Sequence, residues 1–246
     1  MQRIVGLRDR KLKELPDIVA SVASSIKVLD AGNNQLTVWP SALEMTTSLQ
    51  RLVLSNNLIA IISPSLQPYA STLKILLLDS NQITTLPVEL SLLIKLERMS
   101  LSNNKLRGAL PPVIGSLPSL TLLDLSKNQL TSLPDSMGKL ENLEDLDASE
   151  NALSHIPPSF GSLLKLKQMN LDKNQVRDVP SEVFISCISL QTLSLHSNPI
   201  KPDTVQETEG FSQFEKRRQE KFTKGIVGGV VFGSKGLDEG VDRKLK

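Results

Sequence analysis

A solenoid of stacked parallel strands is the fold class that the sequence predicts. It is an α/β horseshoe, with a curved sheet on the concave side and short 3₁₀ or helical turns on the convex side. Three observations predict it. Of 43 leucines, 41 precede residue 201. They recur in one register, as in Leu73-x-x-Leu76-x-Leu78-x-x-Asn81-x-Ile83-x-x-Leu86-Pro87. That frame opens at Ile26, Leu49, Leu73, Leu96, Leu120, Leu143, Leu166 and Leu190, in steps of 23 or 24 residues.

A period of about 20–29 residues carrying L-x-x-L-x-L-x-x-N-x-L is the leucine-rich repeat signature. Within each repeat the fourth and sixth residues share one face of a strand and point inward. The first enters the core from the preceding bend. Each turn buries these side chains only against its neighbours, so the core is continuous. The recurrent Asn (Asn34, Asn57, Asn81, Asn104, Asn128, Asn151, Asn174, Asn198) stands where the chain leaves the strand. Buried backbone groups there need partners, and a carboxamide offers both donors and an acceptor. The spacing therefore assigns these asparagines a structural role.

The second half of the repeat reads Pro87-x-x-Leu90-x-x-Leu93, and again from Pro111, Pro134 and Pro157. Apolar residues three apart suit a turn or two of 3₁₀ or loose helix. Proline is tolerated in the first turn, where its missing N–H has no partner to lose. The fourth repeat carries one extra residue, in Leu106-Arg107-Gly108-Ala109-Leu110-Pro111. It is similar to the L-x-G-x-I-P form of plant extracellular repeats.

The ends divide the rest. Val5, Leu7, Leu12, Leu15 and Pro16 fit a degenerate first turn with Arg10 at the Asn position, so residues 1–25 read as an N-terminal cap. Residues 26–200 hold the eight repeats. Phe211, Phe214 and Phe222 share one helical face, and residues 201–224 read as a C-terminal capping helix over the eighth repeat. Residues 225–246 contain six glycines and read as a flexible tail. A basic amphipathic helix on a membrane surface is the competing reading of the capping segment.

Composition excludes several function classes. Aromatics make up 3% and the net charge is +2, which supplies neither stacking surfaces nor a strong field for nucleic acid. One cysteine permits neither an internal disulfide nor a cysteine-based zinc site. The first ten residues lack a secretory signal, and no apolar run approaches the roughly 20 residues of a membrane helix. These features predict a soluble cytoplasmic monomer.

Catalytic chemistry finds no footing. His155 and His196 stand about two repeats apart, on different parts of the turn. Cys187 lies in an apolar convex stretch and reads as a buried, inert thiol. The segment Gly225-Ile226-Val227-Gly228-Gly229 lacks the preceding strand and the spacing of a phosphate-binding loop. No catalytic residue, metal ligand or cofactor is assigned.

The second, third and fifth residues of each repeat are expected to face solvent on the concave side. Val28, Val53, Ile75 and Leu77 form an aliphatic patch on repeats one to three. Asp124, Glu144, Asp145, Asp147 and Glu150 form an acidic patch on repeats five and six. Strands stand about 4.8 Å apart, so Asp124 and Asp147 become adjacent like charges, a cost to stability. Left uncompensated, that cost predicts a partner with an apolar anchor and a basic flank. A bound divalent cation is the sharper alternative.

The Leu-Pro endings and 23-residue spacing resemble the intracellular Ras-group leucine-rich repeat proteins. Three segments resemble the family of leucine-rich repeat-containing protein 57, in its plant or algal form. They are Gly6-Leu7-Arg8-Asp9-Arg10-Lys11-Leu12-Lys13-Glu14-Leu15-Pro16, Gly210-Phe211-x-x-Phe214-Glu215-x-Arg217-Arg218-x-x-Lys221-Phe222, and residues 233–242. Relatives of that kind often begin Met-Gly. This chain begins Met1-Gln2, so no N-terminal lipid carries over. The resemblance implies a non-enzymatic protein-binding scaffold in signal transduction. The alternative is a direct regulator or inhibitor of a small GTPase or another enzyme.

Overall fold

The computed structural model describes residues 3–227, and the side chains of residues 4–220. Nine parallel strands form one sheet in chain order: β1 (Arg3–Gly6), β2 (Ile26–Asp30), β3 (Arg51–Val53), β4 (Ile75–Leu77), β5 (Arg98–Ser100), β7 (Leu122–Asp124), β9 (Asp145–Asp147), β10 (Gln168–Asn170) and β11 (Thr192–Ser194). Equivalent residues of successive repeats pair directly. Leu52, Leu76, Met99, Leu123 and Leu146 follow one another across the sheet, all buried. The 23- or 24-residue period becomes one inter-strand step in space.

Between strands the chain returns along the convex side as short 3₁₀ turns: Ser41–Met45, Gln67–Tyr69, Val88–Leu92, Pro112–Ser116, Asp135–Lys139 and Pro158–Ser162. In the later repeats these turns lie close together. A Cβ on Gly138 would come within 2.5 Å of the Ser159 carbonyl oxygen, and one on Gly115 within 2.2 Å of that of Ser136. Glycine at this position is what admits the neighbouring turn. The N-terminal turn returns through a short helix, α1 (Ile18–Ser21), and the seventh repeat through α2 (Ser181–Ser186), where Phe184 takes the place that glycine holds in the three repeats before it.

Each recurrent asparagine closes a backbone gap, as its spacing predicts. The Asn128 amide donates to the carbonyls of Leu101, Leu125 and Ser126, at 3.0, 3.0 and 3.1 Å. Its oxygen accepts the N–H of Leu106 at 3.0 Å. Asn34 serves the N-terminal turn in the same way, accepting from the N–H groups of Arg10 and Leu12 at 3.1 and 3.0 Å. The residue before the repeat asparagine has positive φ, from Asn33 (55°) to Ser197 (58°). Small or polar side chains with local hydrogen bonds tolerate that left-handed turn best.

The extra residue of repeat four is absorbed outside the main sheet. Strand β6 (Arg107–Ala109) pairs in parallel with β8 (Gln129–Ser132), and the register shifts between Gly108 and Ala109. Gly108 has φ +69°, which only glycine adopts without strain.

The C-terminal segment departs from the expected single helix. It divides into α3 (Pro202–Glu207) and α4 (Phe211–Val227), broken at Gly210, whose φ is +86°. Gly225 to Val227 therefore belong to α4 rather than to a tail. The remainder of the expected tail, residues 228–246, lies outside the described residues, as does the side chain of Phe222. Among the described residues, no helix is long and apolar enough to cross a membrane.

Candidate protein-binding surface

The concave side is built from three rows of side chains, one residue per strand. The third-position row runs Ile4, Val28, Arg51, Ile75, Arg98, Leu122, Asp145, Gln168 and Thr192. The fifth-position row runs Asp30, Val53, Leu77, Ser100, Asp124, Asp147, Asn170 and Ser194. The second-position row carries Lys27, Gln50, Lys74, Glu97, Thr121, Glu144 and Lys167.

Of the expected aliphatic patch, Val28, Ile75 and Leu77 are half-buried and reach solvent. Val53 does not. It is 2% exposed, flanked in register by Asp30 and Leu77. A short β-branched side chain cannot rise above those neighbours, so the expectation that it faces solvent is corrected. The row has apolar members that the sequence analysis passed over. Leu122 is half-buried, and Ile4 is 66% exposed at the N-terminal end.

The acidic patch is also corrected. The like charges of Asp124 and Asp147 are not left uncompensated. Asp124 Oδ1 accepts the Ser126 N–H at 2.9 Å and its hydroxyl at 2.7 Å. Asp147 Oδ1 accepts the Ser149 N–H at 2.9 Å and its hydroxyl at 2.6 Å, and its Oδ2 accepts from the Asn170 amide at 3.1 Å. A hydrogen-bonded carboxylate of this kind is satisfied locally and asks for no partner. The Asp-x-Ser spacing carried that information, because a side chain two residues ahead reaches both groups. Glu144 and Glu150 are likewise matched, to Lys167 at 2.6 Å and Lys173 at 3.5 Å. Asp145 remains. Partial burial pushes its carboxyl up from the ordinary range, and the neighbouring Glu144 adds to the shift, while Lys167 and Arg98 oppose it.

The third row also holds Arg51 and Arg98. Both are exposed, and neither meets a carboxylate within ion-pairing distance among the described residues. Two lysines of the second-position row are paired: Lys74 with Glu97 at 2.7 Å and Lys167 with Glu144 at 2.6 Å. Residue type alone does not mark these two arginines in the sequence, because what distinguishes them is which side chains stand across the strands.

At the last repeats the structure assembles a grouping that sequence spacing did not suggest. Asp172 Oδ1 accepts from the Ser194 hydroxyl at 2.7 Å and from the His196 N–H at 2.7 Å. His196 Nδ1 lies 3.0 Å from the Ser194 hydroxyl and 3.3 Å from Asp172. Serine and aspartate therefore meet the same ring nitrogen. A triad relay needs them on opposite nitrogens, so this arrangement braces the strand exit rather than activating the hydroxyl. His155 lies apart and exposed, beside Ser154. Cys187 is buried with its thiol on the Phe160 carbonyl oxygen at 2.8 Å, and burial pushes its pKa up to about 11.

The C-terminal segment adds Val205 and Phe214 to the buried core. Phe184 stacks near Phe211 and Phe214, with ring centroids 5.5 and 5.3 Å away. Arg217 donates to the Phe184 carbonyl oxygen, and Arg218 pairs with Glu215 at 3.0 Å. The contact is with α2 on the convex side.

Residues 71–130, 94–153 and 118–176 match the family described as leucine rich repeat, in overlapping windows one repeat apart. Residues 71–176 thus carry leucine-rich repeats, and the parallel sheet continues the same turn on both sides of them. One curated relative of these repeats is plant intracellular Ras-group-related LRR protein 7 of rice (Oryza sativa subsp. japonica), 50% identical over 56 residues, 23% of this chain and 21% of the relative. Among solved structures, the leucine-rich repeat protein LIC12759 of Leptospira interrogans is 32% identical with a TM-score of 0.75, covering 93% of this chain and 52% of that one. The ectodomain of the Arabidopsis thaliana receptor kinase GASSHO1/SCHENGEN3, solved in complex with CASPARIAN STRIP INTEGRITY FACTOR 2, is 30% identical with a TM-score of 0.65, covering 75% of this chain and 23% of that one. The matched regions thus span about a fifth of the curated relative and about half of the Leptospira chain.

Proposed function

We propose that this leucine-rich repeat protein is a non-enzymatic interaction module, an intracellular adaptor in signal transduction that holds a protein partner on its concave face. One observation carries the reading. Val28, Ile75, Leu77 and Leu122 reach solvent together on a rigid sheet, beside two unpaired arginines, with no element of the described chain laid over them. Rigid, partly apolar surface with charged flanks is the material of a protein interface. The intracellular assignment draws on the name of the rice relative. The mode of binding draws support from the receptor ectodomain solved with its bound factor.

The test is affinity purification of the intact protein, followed by comparison with Leu77→Asp. Leu77 is half-exposed, so the variant should fold with little loss of stability. Recovery of a specific partner by the parent and its loss from the variant supports the concave face. Equal recovery by both, with equal affinity for the purified partner, refutes it.

A further inference from the structure

The third-position row alternates in a regular way. Arg51, Ile75, Arg98, Leu122 and Asp145 stand on five consecutive strands of the sheet, β3, β4, β5, β7 and β9. Read across the sheet, this is cation, aliphatic, cation, aliphatic, anion. Neighbouring members are one inter-strand step, about 4.8 Å, apart, and the whole row spans about 19 Å.

Desolvation turns this order into a recognition rule. At about 10 Å separation the two guanidiniums are screened from each other by water and salt, so they cost the free protein little. A partner that covers Ile75 and Leu77 must also cover Arg51 and Arg98, one strand to either side. Its arrival strips water from both. A guanidinium buried without an acceptor is strongly unfavourable, so a partner that binds here has to bring its own acceptors. Carboxylates fit the planar guanidinium fork in bidentate fashion. At the far end the demand reverses. The Asp145 carboxylate has no hydrogen-bond partner among the described residues, and partial burial together with Glu144 makes its ionised form costly, which Lys167 and Arg98 only partly offset. A cation delivered there relieves that cost. The other concave acids do not ask for one: Asp124 and Asp147 are held by Ser126 and Ser149, and Glu144 by Lys167.

We infer that the concave face recognises a peptide segment of ordered polarity, with two carboxylates straddling an aliphatic side chain over Arg51 and Arg98, and a Lys or Arg beyond a second aliphatic over Asp145. The inference rests on the concave-face reading above and refines it. The partner's basic flank remains, and its anchor becomes acidic on both sides. In an extended chain at about 3.3 Å per residue, about six residues cover the row.

A phage-displayed library of random peptides, selected on the immobilised full-length chain, tests this. Enriched sequences should run in the order acid, aliphatic, acid, aliphatic, and then Lys or Arg. Fluorescence anisotropy of the enriched peptide should show at least about a tenfold loss of affinity for Arg51→Glu with Arg98→Glu. Exchanging the peptide's two acids for lysines should restore binding to that double variant. Both arginines are exposed, and thermal melts of the variant confirm that it folds. No enrichment, enrichment without the charge order, or equal affinity for parent and double variant overturns the inference. Leu77→Asp separates the two levels. If it abolishes peptide binding while the arginine reversal does not, the concave face stands and the charge order falls. If neither changes binding, both fall.

Discussion

The Phe214 ring lies 5.3 Å from that of Phe184, and Phe214 is fully buried. Phe184 occupies the place that Gly115, Gly138 and Gly161 hold in earlier repeats, where the next turn comes too close for a side chain. The eighth repeat follows α2 with strand β11, and after it the chain returns as α3 and α4. The space is filled instead by Phe184 and the ring that α4 brings to it. Truncating such a ring removes its burial and leaves a cavity, a loss of about 3–5 kcal/mol for Phe to Ala. Phe214→Ala should therefore lower the thermal midpoint markedly, and truncation after Pro202 should lower it further. Differential scanning calorimetry reads both, and an unchanged midpoint on truncation would remove α3 and α4 from the folded core.

Gly138→Ala should destabilise by about 1–3 kcal/mol, the usual range for forcing atoms into a packed site. The added methyl group would sit 2.5 Å from the Ser159 carbonyl oxygen and 2.9 Å from the Ser159 Cβ, so the 3₁₀ turn at Pro158–Ser162 has to move. Gly6→Ala is the control, since nothing lies within 4 Å of its added Cβ. Urea unfolding of the pair should separate them clearly.

Asn128→Ala should cost about 1–3 kcal/mol, the range for a buried backbone group left without a partner. The Leu106 N–H loses its acceptor, whereas the Leu101 carbonyl keeps the Asn104 amide at 2.9 Å. Asn128→Asp should also destabilise, since a carboxylate still accepts from Leu106 but sets its second oxygen against the carbonyls of Leu101, Leu125 and Ser126. Equal stability of the aspartate variant and the parent would show that the donated bonds contribute little.

Asp124→Lys with Asp147→Lys should destabilise the protein. The sequence alone led to the opposite expectation, from relief of repulsion between adjacent like charges. The structure gives each carboxylate the N–H and hydroxyl of a following serine, and the substitution removes both acceptors. Side-chain-to-backbone bonds of this kind are worth about 0.5–1.5 kcal/mol each. Chemical denaturation should show a lower midpoint at both low and high salt.

Cys187 should resist thiol reagents in the native state and react only as the chain unfolds. Its pKa is raised from 9.0 to about 11, chiefly by burial. The unfolded thiol ionises first as pH rises, so the folded state binds more protons between those values and stability falls through that window. Cys187→Ala should flatten this alkaline slope, apart from its own packing cost. A thiol titration that proceeds at full rate in native buffer would contradict the burial.

Much of this molecule was legible in order along the chain. The register of Leu73, Leu76 and Leu78, the asparagine at the strand exit and the proline-led turn are local patterns. Each reports a periodic contact made with the next copy of itself. The concave site was legible only in part. Ile75 and Leu77 were found, but Val53 is closed off by Asp30 and Leu77, residues more than twenty positions away along the chain. Arg51 and Arg98 matter because, among the described residues, no carboxylate lies within ion-pairing distance of them across the strands. A count of charges along the chain does not contain that fact.

Taken alone, the sequence determined the solenoid and its inward rows, because a fixed period of apolar residues has a single efficient burial against its own neighbours. Only the tertiary structure decided which surface charges are satisfied. Solvation of a carboxylate or guanidinium depends on what lies within a few ångströms of it across strands. Asp147 rests on Ser149 and Asn170, whereas Arg98 stands between Ile75 and Leu122 with no carboxylate within ion-pairing distance among the described residues.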